Sequence, residues 1–231
     1  LSASALNAQL DALGFVELLQ STSVETKVTL GFQPATTLYT LLEEGEPGRE
    51  TIAGVALSNG DGAASYVPNG SAGWAALVQW LGDAKAPKSS HDWVPALVAF
   101  AHAGVKVAGI AGDSACASHL TQPSGWAPHE LPLVARHVLG RSLPADDELL
   151  GTGGDRKSWK ALGEDVAAKV AAQRADASAA ISAALMPAVD AKLMHEYLGL
   201  TELVVQMELK GLVIDSAQLD RAEVKFAEIE K

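Results

Sequence analysis

Apolar side chains repeat with two different periods along this chain, and the change of period separates a strand-rich part from a helix-rich part. Alternation with a period of two predicts β-strands over residues 27–33, 37–42, 51–57 and 63–67. The dipeptides Asn59-Gly60 and Asp61-Gly62 are strong turn signals between the last two strands. Strands that follow one another so closely predict an antiparallel meander.

After residue 70 the apolar residues recur at three- and four-residue steps, which is the period of an amphipathic helix. The pattern predicts helices over residues 70–82, 91–103, 114–120 and 130–139, a strand over 105–110, a loop over 144–158, and helix in the remainder. A meander followed by helices around a later strand predicts an α/β (α+β) fold with a mixed sheet.

The last part of the chain carries one long helical stripe, interrupted once. Gly211 is expected to end the helix, residues 212–214 to be briefly extended, and Asp215 to begin the final helix as its N-cap, with Gln218 as its partner. The final helix has a stripe with nothing left to pack on, formed by Leu219, Ala222, Phe226 and Ile229. At the other end, residues 5–19 are predicted to form a short helix and residues 21–26 a linker.

Composition and charge narrow the possible functions. A content of 48% hydrophobic and 19% charged residues is typical of a globular protein. The single cysteine, Cys116, excludes an internal disulfide and favours a cytoplasmic location; no signal peptide or membrane span is expected. With 17 basic residues against 28 acidic ones, the net charge of −11 predicts poor binding of DNA by this chain alone.

Several residues look reactive, but a structural interpretation is favoured for each. Residues 151–158 resemble a phosphate-binding loop only superficially, because Arg156 precedes Lys157 where glycine is needed. His129-Glu130 and His195-Glu196 lack the second histidine of a zinc helix. Asp92 and Asp113 are expected to cap helices, Cys116 to be a buried inert thiol, and residues 146–148 to be a solvated acidic loop.

Two stretches resemble bacterial DNA polymerase I. One is the junction around Met207-Glu208, Gly211 and Val213-Ile214-Asp215; the other is residues 91–120, HDWVPALVAFAHAGVKVAGIAGDSACASHL. The resemblance implies an RNase H-like 3′–5′ exonuclease domain over residues 27–186. It also implies an N-terminal helix and linker over 1–26, and a long helix with the start of a polymerase domain over 187–231.

Proofreading exonucleases of this family hold two divalent metals with an Asp-x-Glu on the first strand, an Asp on the helix after the meander, and a Tyr-x₃-Asp on a late helix. Such carboxylates supply the oxygen ligands and charge that Mg²⁺ or Mn²⁺ needs. The resemblance places these positions at Gly31, Gln33, Ala96, Val170 and Arg174, none of which can be a carboxylate ligand.

We therefore expect an inactive domain with no cofactor or metal of its own and with a structural role in a DNA polymerase I that acts in replication or repair. Its partner would be the polymerase domain of the same parent chain, a nucleotidyltransferase, and it would meet DNA only through that parent. Two alternatives stay open. One is a nuclease with metal ligands moved to Asp92, Asp113, Asp176 or residues 146–148, and the other is an acidic protein-interaction module.

Overall fold

The computed structural model describes residues 26–43, 45 and 48–229 of the chain. In this part of the chain one six-stranded sheet is formed by β1 (Lys27–Leu30), β2 (Thr37–Glu43), β3 (Thr51–Ser58), β4 (Ala63–Pro68), β5 (Lys88–Ser90) and β6 (Ile110–Asp113). The helices are α1 (Trp74–Gly82), α2 (Trp93–His102), α3 (Ser114–Thr121), α4 (Leu131–Leu139), α5 (Asp146–Leu150), α6 (Trp159–Leu162), α7 (Glu164–Leu185), α8 (Ala191–Lys210) and α9 (Ser216–Ile229), with short 3₁₀ turns at Gly153–Asp155 and Met186–Ala188.

The strand order across the sheet is β1-β4-β3-β2-β5-β6. The predicted antiparallel meander is confirmed for β2, β3 and β4, whereas β1 pairs in parallel with β4 at one edge. Strands β2, β5 and β6 are parallel neighbours. The alternation within β1 predicts a strand but cannot choose its neighbour. Residues 31–36 can span about 20 Å when extended, enough to pass the three strand spacings of roughly 5 Å from β1 to β2.

Alternate side chains of the central strands pack into two separate apolar layers, one on each face of the sheet. Leu38 of β2 and Val55 of β3 face α1 and α2, in a core that includes Trp93 and Phe100. Leu41 and the neighbouring Ala56 face α6 and α7 on the other side of the sheet. The period of two therefore reflects a sheet covered by helices on both faces.

Helix α7 lies across β2, β3 and β4, and its small side chains allow it to lie close to the sheet. A close approach occurs at Gly60 in the turn between β3 and β4. Gly60 has a φ of 82°, and a Cβ there would lie 3.0 Å from the backbone nitrogen of Ala180. Only glycine satisfies both conditions. The alanine-rich sequence of α7 is thus a packing requirement of the sheet.

Three secondary-structure elements differ from the prediction. The strand predicted over residues 105–110 begins only at Ile110, because Val105 and Val107 pack against the core while their backbone lies outside the sheet. The short strand β5 was not predicted, since its three residues show no periodicity. The predicted loop over residues 144–158 contains α5 and a 3₁₀ turn.

The end of the chain agrees with the predicted pattern. Gly211 ends α8 with a φ of 64°, and the Asp215 carboxylate accepts a hydrogen bond from the Gln218 N–H at 3.1 Å, which confirms the N-cap. Residues 212–214 lie between α8 and α9 outside any helix or strand and are fully or largely exposed, and Leu219, Phe226 and Ile229 are exposed as well. The predicted N-terminal helix and most of its linker lie outside the described residues. Among the helices that are described, none is long and apolar enough to cross a membrane.

Candidate functional site

A cleft of about 520 Å³ opens beside β2 and the end of β5. Its walls come from β2, the first turn of α2, the segment that leads into α4, the start of α5, and one side chain of α7. Charged or hydroxyl-bearing residues of the wall are Tyr39, Thr40, Ser90, Asp92, Glu130, Asp146, Asp147 and Arg174. The cleft thus lies beside the carboxyl end of β5, where parallel α/β sheets commonly place their ligands.

Arg174 is the central charged group of this cleft, although it is only 4% exposed. Its guanidinium donates to the Tyr39 hydroxyl at 3.0 Å and to the Pro144 carbonyl at 3.1 Å, and it forms an ion pair with Asp146. Its Cζ lies 5.4 Å from the centre of the Tyr39 ring and 5.7 Å from that of Trp159. Burial opposes the charge of Arg174, but Tyr39 and Asp146 outweigh it and raise the pKa of the guanidinium. A single cation therefore links β2, α5, α6 and α7.

The Tyr39 hydroxyl is buried and accepts a hydrogen bond from Arg174. Burial is the main reason why the pKa of Tyr39 is raised above its usual value. The negative charges of Asp146 and Asp92 add to this effect, while Arg174 opposes it. The raised pKa means that this hydroxyl remains a neutral phenol.

Asp113 ends β6 and organises the start of two helices. Its carboxylate, 2% exposed, accepts from the backbone N–H groups of Ala115 at 2.8 Å and Cys116 at 3.2 Å. It also accepts from those of Asp92 at 3.1 Å and Trp93 at 3.0 Å. The predicted capping role is confirmed and extends to α2. Asp92 caps α2 as predicted, accepting from the Val94 N–H at 3.3 Å with a left-handed φ of 57°.

Two buried histidine–serine pairs lie behind the cleft. His91 Nδ1 is 2.8 Å from Ser114 Oγ, and His91 Nε2 is 3.0 Å from the His129 carbonyl. A carbonyl only accepts, so Nε2 carries the proton and Nδ1 accepts from the serine. Burial lowers the pKa of His91 to about 4. Ser118 pairs in the same way with His129 at 2.8 Å. Both serines are 0% exposed, so neither can act as a nucleophile on a substrate.

Asp176, two residues after Arg174 on α7, faces away from the cleft. It is 0% exposed and accepts from Ser58 Oγ at 3.1 Å, the Gly62 N–H at 2.9 Å and the Arg141 guanidinium at 2.8 Å. Its oxygens are therefore used to join α7 to the turn between β3 and β4 and to the segment after α4.

The donor set of the cleft does not fit a divalent metal ion. No group of three or more His, Cys, Asp or Glu side chains within the described residues could surround a metal. Asp146 is paired with Arg174, and the guanidinium brings a positive charge to the place where a cation would have to lie. Hard divalent cations need several oxygen ligands around one point, and the carboxylates of the described residues are not grouped in this way.

The structure brings together only some of the five residues predicted to lie at the lost metal-ligand positions. Ala96 and Arg174 line the cleft, and Val170 packs beneath it in the same apolar cluster as Leu41. Gly31 and Gln33 do not join them. They follow β1 at the far edge of the sheet, and Gln33 lines a separate cavity of about 140 Å³. The reason is the pairing of β1, which the local pattern could not determine.

The other candidate residues have structural surroundings. Cys116 is half-buried, and burial together with Asp113 and Asp92 raises the pKa of its thiol to about 12, as an inert thiol requires. Residues 151–158 contain a 3₁₀ turn, and Arg156 of this segment pairs with Asp147. Residues 146–148, predicted to be a solvated acidic loop, form the first turn of α5, and Asp146 and Asp147 are paired with arginines.

Sequence reasoning missed Tyr39 and Asp146 as the partners of Arg174. A signal was present, since an arginine among the small residues of α7 requires acceptors if that helix is buried. The identity of those acceptors was not visible, because Tyr39 lies 135 residues away from Arg174 in the chain.

Comparison with known proteins agrees with this architecture. The family model for the ribonuclease H-like domain of DNA polymerase I matches residues 38–180. Comparison with curated protein sequences gives no match. The DNA polymerase Pol1 of M. smegmatis, solved in complex with DNA primer-template and dNTP, has 19% identity and a TM-score of 0.65, over 86% of this chain and 35% of that one. The chain thus spans about a third of the length of that polymerase chain.

Two nucleases share the fold at similar identity. RNase D of Escherichia coli, an exoribonuclease involved in structured RNA processing, has 18% identity and a TM-score of 0.55, over 88% of this chain and 49% of that one. NrnC of Brucella melitensis, solved with bound Mg²⁺, has 19% identity and a TM-score of 0.52, over 80% of this chain and 90% of that one. The predicted RNase H-like exonuclease fold is confirmed, and the chain belongs to the DNA polymerase I ribonuclease H-like domain family.

Proposed function

We propose that this chain is an exonuclease-like domain of a DNA polymerase I that has lost metal-dependent cleavage and serves as a structural part of its parent. The observation that carries the proposal is Arg174, a buried cation in the cleft, held by Tyr39 and Asp146. Active members of the family need a pair of divalent cations there, held by carboxylates, to activate water and stabilise the departing oxygen. A fixed guanidinium performs neither task.

The strand that corresponds to the family's first strand is better assigned to β2 than to β1. Strand β2 begins the antiparallel meander, lies beside the parallel strand β5, and directs Tyr39 and Leu41 towards α7. These residues share a face with Val170 and Arg174, as the Asp-x-Glu and Tyr-x₃-Asp of an active site would have to do. We therefore assign the five lost positions to Tyr39, Leu41, Ala96, Val170 and Arg174.

A nuclease with relocated ligands has little support in the geometry. Asp113 uses its oxygens for four backbone N–H groups, and Asp176 faces Ser58 and Arg141 away from the cleft. Of the acids at 146–148, Asp146 is paired with Arg174 and Asp147 with Arg156, which leaves Asp92 and Glu148. Within the described residues no three His, Cys, Asp or Glu side chains are grouped so that they could hold a metal, which does not favour a relocated two-metal site.

The partner that we propose is the polymerase domain of the same parent. Helix α8 packs on α2 and β6, whereas its later turns and α9 expose apolar side chains such as Met207, 64% exposed, and Phe226, 68% exposed. An apolar surface of this kind is typical of a protein interface. The net charge of −11 favours DNA contact through the parent over contact through this domain.

The test compares the wild-type chain with a restored variant on a labelled single strand of DNA in the presence of Mn²⁺. The variant carries Tyr39→Asp, Leu41→Glu, Ala96→Asp, Val170→Tyr and Arg174→Asp. We expect no trimming of the 3′ end by the wild type, and weak trimming at best by the variant, because the surrounding supports are not designed for metal. We also expect no change in the melting temperature of the wild type with Mn²⁺.

The matched control removes the remaining cleft acids from the wild type by Asp92→Asn and Asp146→Asn. Trimming by the wild type that disappears in this control would show a working metal site and overturn the proposal. Trimming that persists unchanged in the control identifies a contaminating nuclease.

A further inference from the structure

The segment between α3 and α4, residues 122–130, runs along the side of the cleft, and we call it the strap. Its last three residues, Pro128, His129 and Glu130, line the cleft. Every residue of the strap is exposed except Trp126, which is half-buried, and His129, which is buried. Only two of its side chains therefore face inward.

His129 makes both hydrogen bonds that tie the strap to the domain, apart from the backbone bonds that continue α3 and begin α4, in the part of the chain that the structure describes. Its carbonyl accepts from His91 Nε2 at 3.0 Å, and its Nδ1 lies 2.8 Å from Ser118 Oγ. Its φ of 64° is uncommon for a residue with a side chain. Segments with so few attachments open locally at a lower free energy than the folded core.

A histidine takes part in each contact that holds the strap. His91 binds the His129 carbonyl, and the His129 ring meets the His119 ring edge-on, with centroids 5.3 Å apart. Trp126 stacks on His137 with centroids 5.8 Å apart and an interplanar angle of 8°. The charge of histidine ordinarily changes between pH 5 and pH 8. The stacking of Trp126 on His137 survives protonation, because a cation over an indole ring is attracted to it.

His91 is the attachment that an added proton disturbs most. The ring is only 8% exposed, and its neutral form satisfies both nitrogens, since Nε2 donates to the His129 carbonyl and Nδ1 accepts from Ser114 Oγ at 2.8 Å. A second ring proton would turn Nδ1 into a donor. The Ser114 hydroxyl would then have to donate to the Ser90 carbonyl, which is 3.4 Å away. The charged ring is thus buried and leaves the serine with a long hydrogen bond.

The charged and titratable groups around His91 do not compensate for its burial. Burial is the largest effect on its pKa, which falls to about 4. The hydrogen bond to the His129 backbone and the negative charge of Asp92 act in the opposite direction, while the His129 ring adds to the lowering. At the start of α3, the Asp113 carboxylate is held by four backbone N–H groups, including that of Asp92. The closed strap therefore favours a neutral His91.

We propose that the strap opens as one unit on acidification, while the sheet stays folded. Because its last three residues line the cleft, one wall of the cleft moves with it. Opening exposes the His91 ring to water, where the pKa of a histidine is about 6.5. The open form therefore binds the proton more tightly, and the ratio of open to closed strap should rise about 30-fold between pH 8 and pH 5. The inference goes beyond the proposed function, because it involves neither nuclease activity nor a partner domain.

The test follows hydrogen exchange by mass spectrometry in the full chain, in peptides that cover the strap and β3. The wild type is compared with His91→Gln at pH 8 and at pH 5, since a comparison at the same pH cancels the intrinsic pH dependence of exchange. Glutamine can donate to the His129 carbonyl and accept from Ser114, but it does not titrate. His102→Gln, at an exposed position at the end of α2, is the matched control.

In the wild type the strap should exchange faster than β3 at both pH values. The ratio of strap exchange in the wild type to that in His91→Gln should rise about 30-fold from pH 8 to pH 5, and His102→Gln should behave as the wild type. An unchanged ratio, or the same loss of pH dependence in His102→Gln, would overturn the proposal. Equal exchange rates of the strap and β3 at pH 5 would show global unfolding and overturn it as well.

Ser118→Ala tests the attachment of the strap without changing a titratable group. The loss of one hydrogen bond to His129 should speed exchange of the strap about fivefold at both pH values. If the strap exchanges in Ser118→Ala as it does in the wild type, His129 does not hold the strap closed and the proposal fails.

Discussion

Replacing Arg174 by methionine should destabilise the chain strongly, because the substitution keeps most of the apolar stem and removes the cation. The change leaves the Pro144 carbonyl and the Tyr39 hydroxyl without their donor. Losing a charged hydrogen bond to a buried group costs about 1.5–3 kcal/mol, and removing one partner of a buried ion pair about 3–5 kcal/mol.

The cost of about 3–5 kcal/mol for removing one partner of a buried ion pair applies only in part here. The Asp146 side chain is 43% exposed and can be hydrated when its partner is lost. We therefore expect Arg174→Met to lower the free energy of unfolding by roughly 2–4 kcal/mol. For a chain of this size, that corresponds to a fall in melting temperature of roughly 4–16 °C.

Urea denaturation followed by tryptophan fluorescence measures the effect, with Arg221→Met on the exposed surface of α9 as the control. The control should change the free energy of unfolding by less than about 0.5 kcal/mol. A double-mutant cycle with Asp146→Asn should show a coupling of about 1 kcal/mol or more. If Arg174→Met costs no more than Arg221→Met, Arg174 is not a structural cation of the cleft.

Three further outcomes are expected. The pKa of His91 is about 4 in the folded chain and about 6.5 in the unfolded chain, so the unfolded state binds the proton first as the pH drops. The free energy of unfolding should therefore fall by roughly 2 kcal/mol between pH 8 and pH 5, and denaturation curves of His91→Gln should show a smaller dependence on pH. Lys88 is 0% exposed and donates to the carbonyls of Asp83, Ala86 and Ala108. Lys88→Met should therefore lower the free energy of unfolding by about 2–3 kcal/mol, and equal stability of Lys88→Met and the exposed Lys85→Met would contradict this. Phe226→Ser in α9 should change the free energy of unfolding of the isolated chain by less than about 0.5 kcal/mol, whereas Phe100→Ala in the core should lower it by about 3–5 kcal/mol. A large effect of Phe226→Ser in calorimetry would show that the apolar side of α9 packs against other residues of this chain.

The elements with a clear period could be predicted from the sequence. The strands β2, β3 and β4, the main helices, the end of α8 at Gly211 and the cap at Asp215 follow from residues close to one another in the chain. Such features depend on local backbone geometry and on which face of an element is apolar, and a pattern of neighbouring residues records both.

The pairing of the strands and the composition of the cleft were decided only by the tertiary structure. The prediction placed the first-strand positions at Gly31 and Gln33, because nothing in the alternation of residues 27–33 shows that β1 pairs with β4 at the edge. Likewise, the sequence showed that Arg174 is not a carboxylate, but not that Tyr39 and Asp146 would hold it. These contacts join residues 28 and 135 positions apart in the chain, and a local pattern contains no information about which distant acceptor a buried cation will meet.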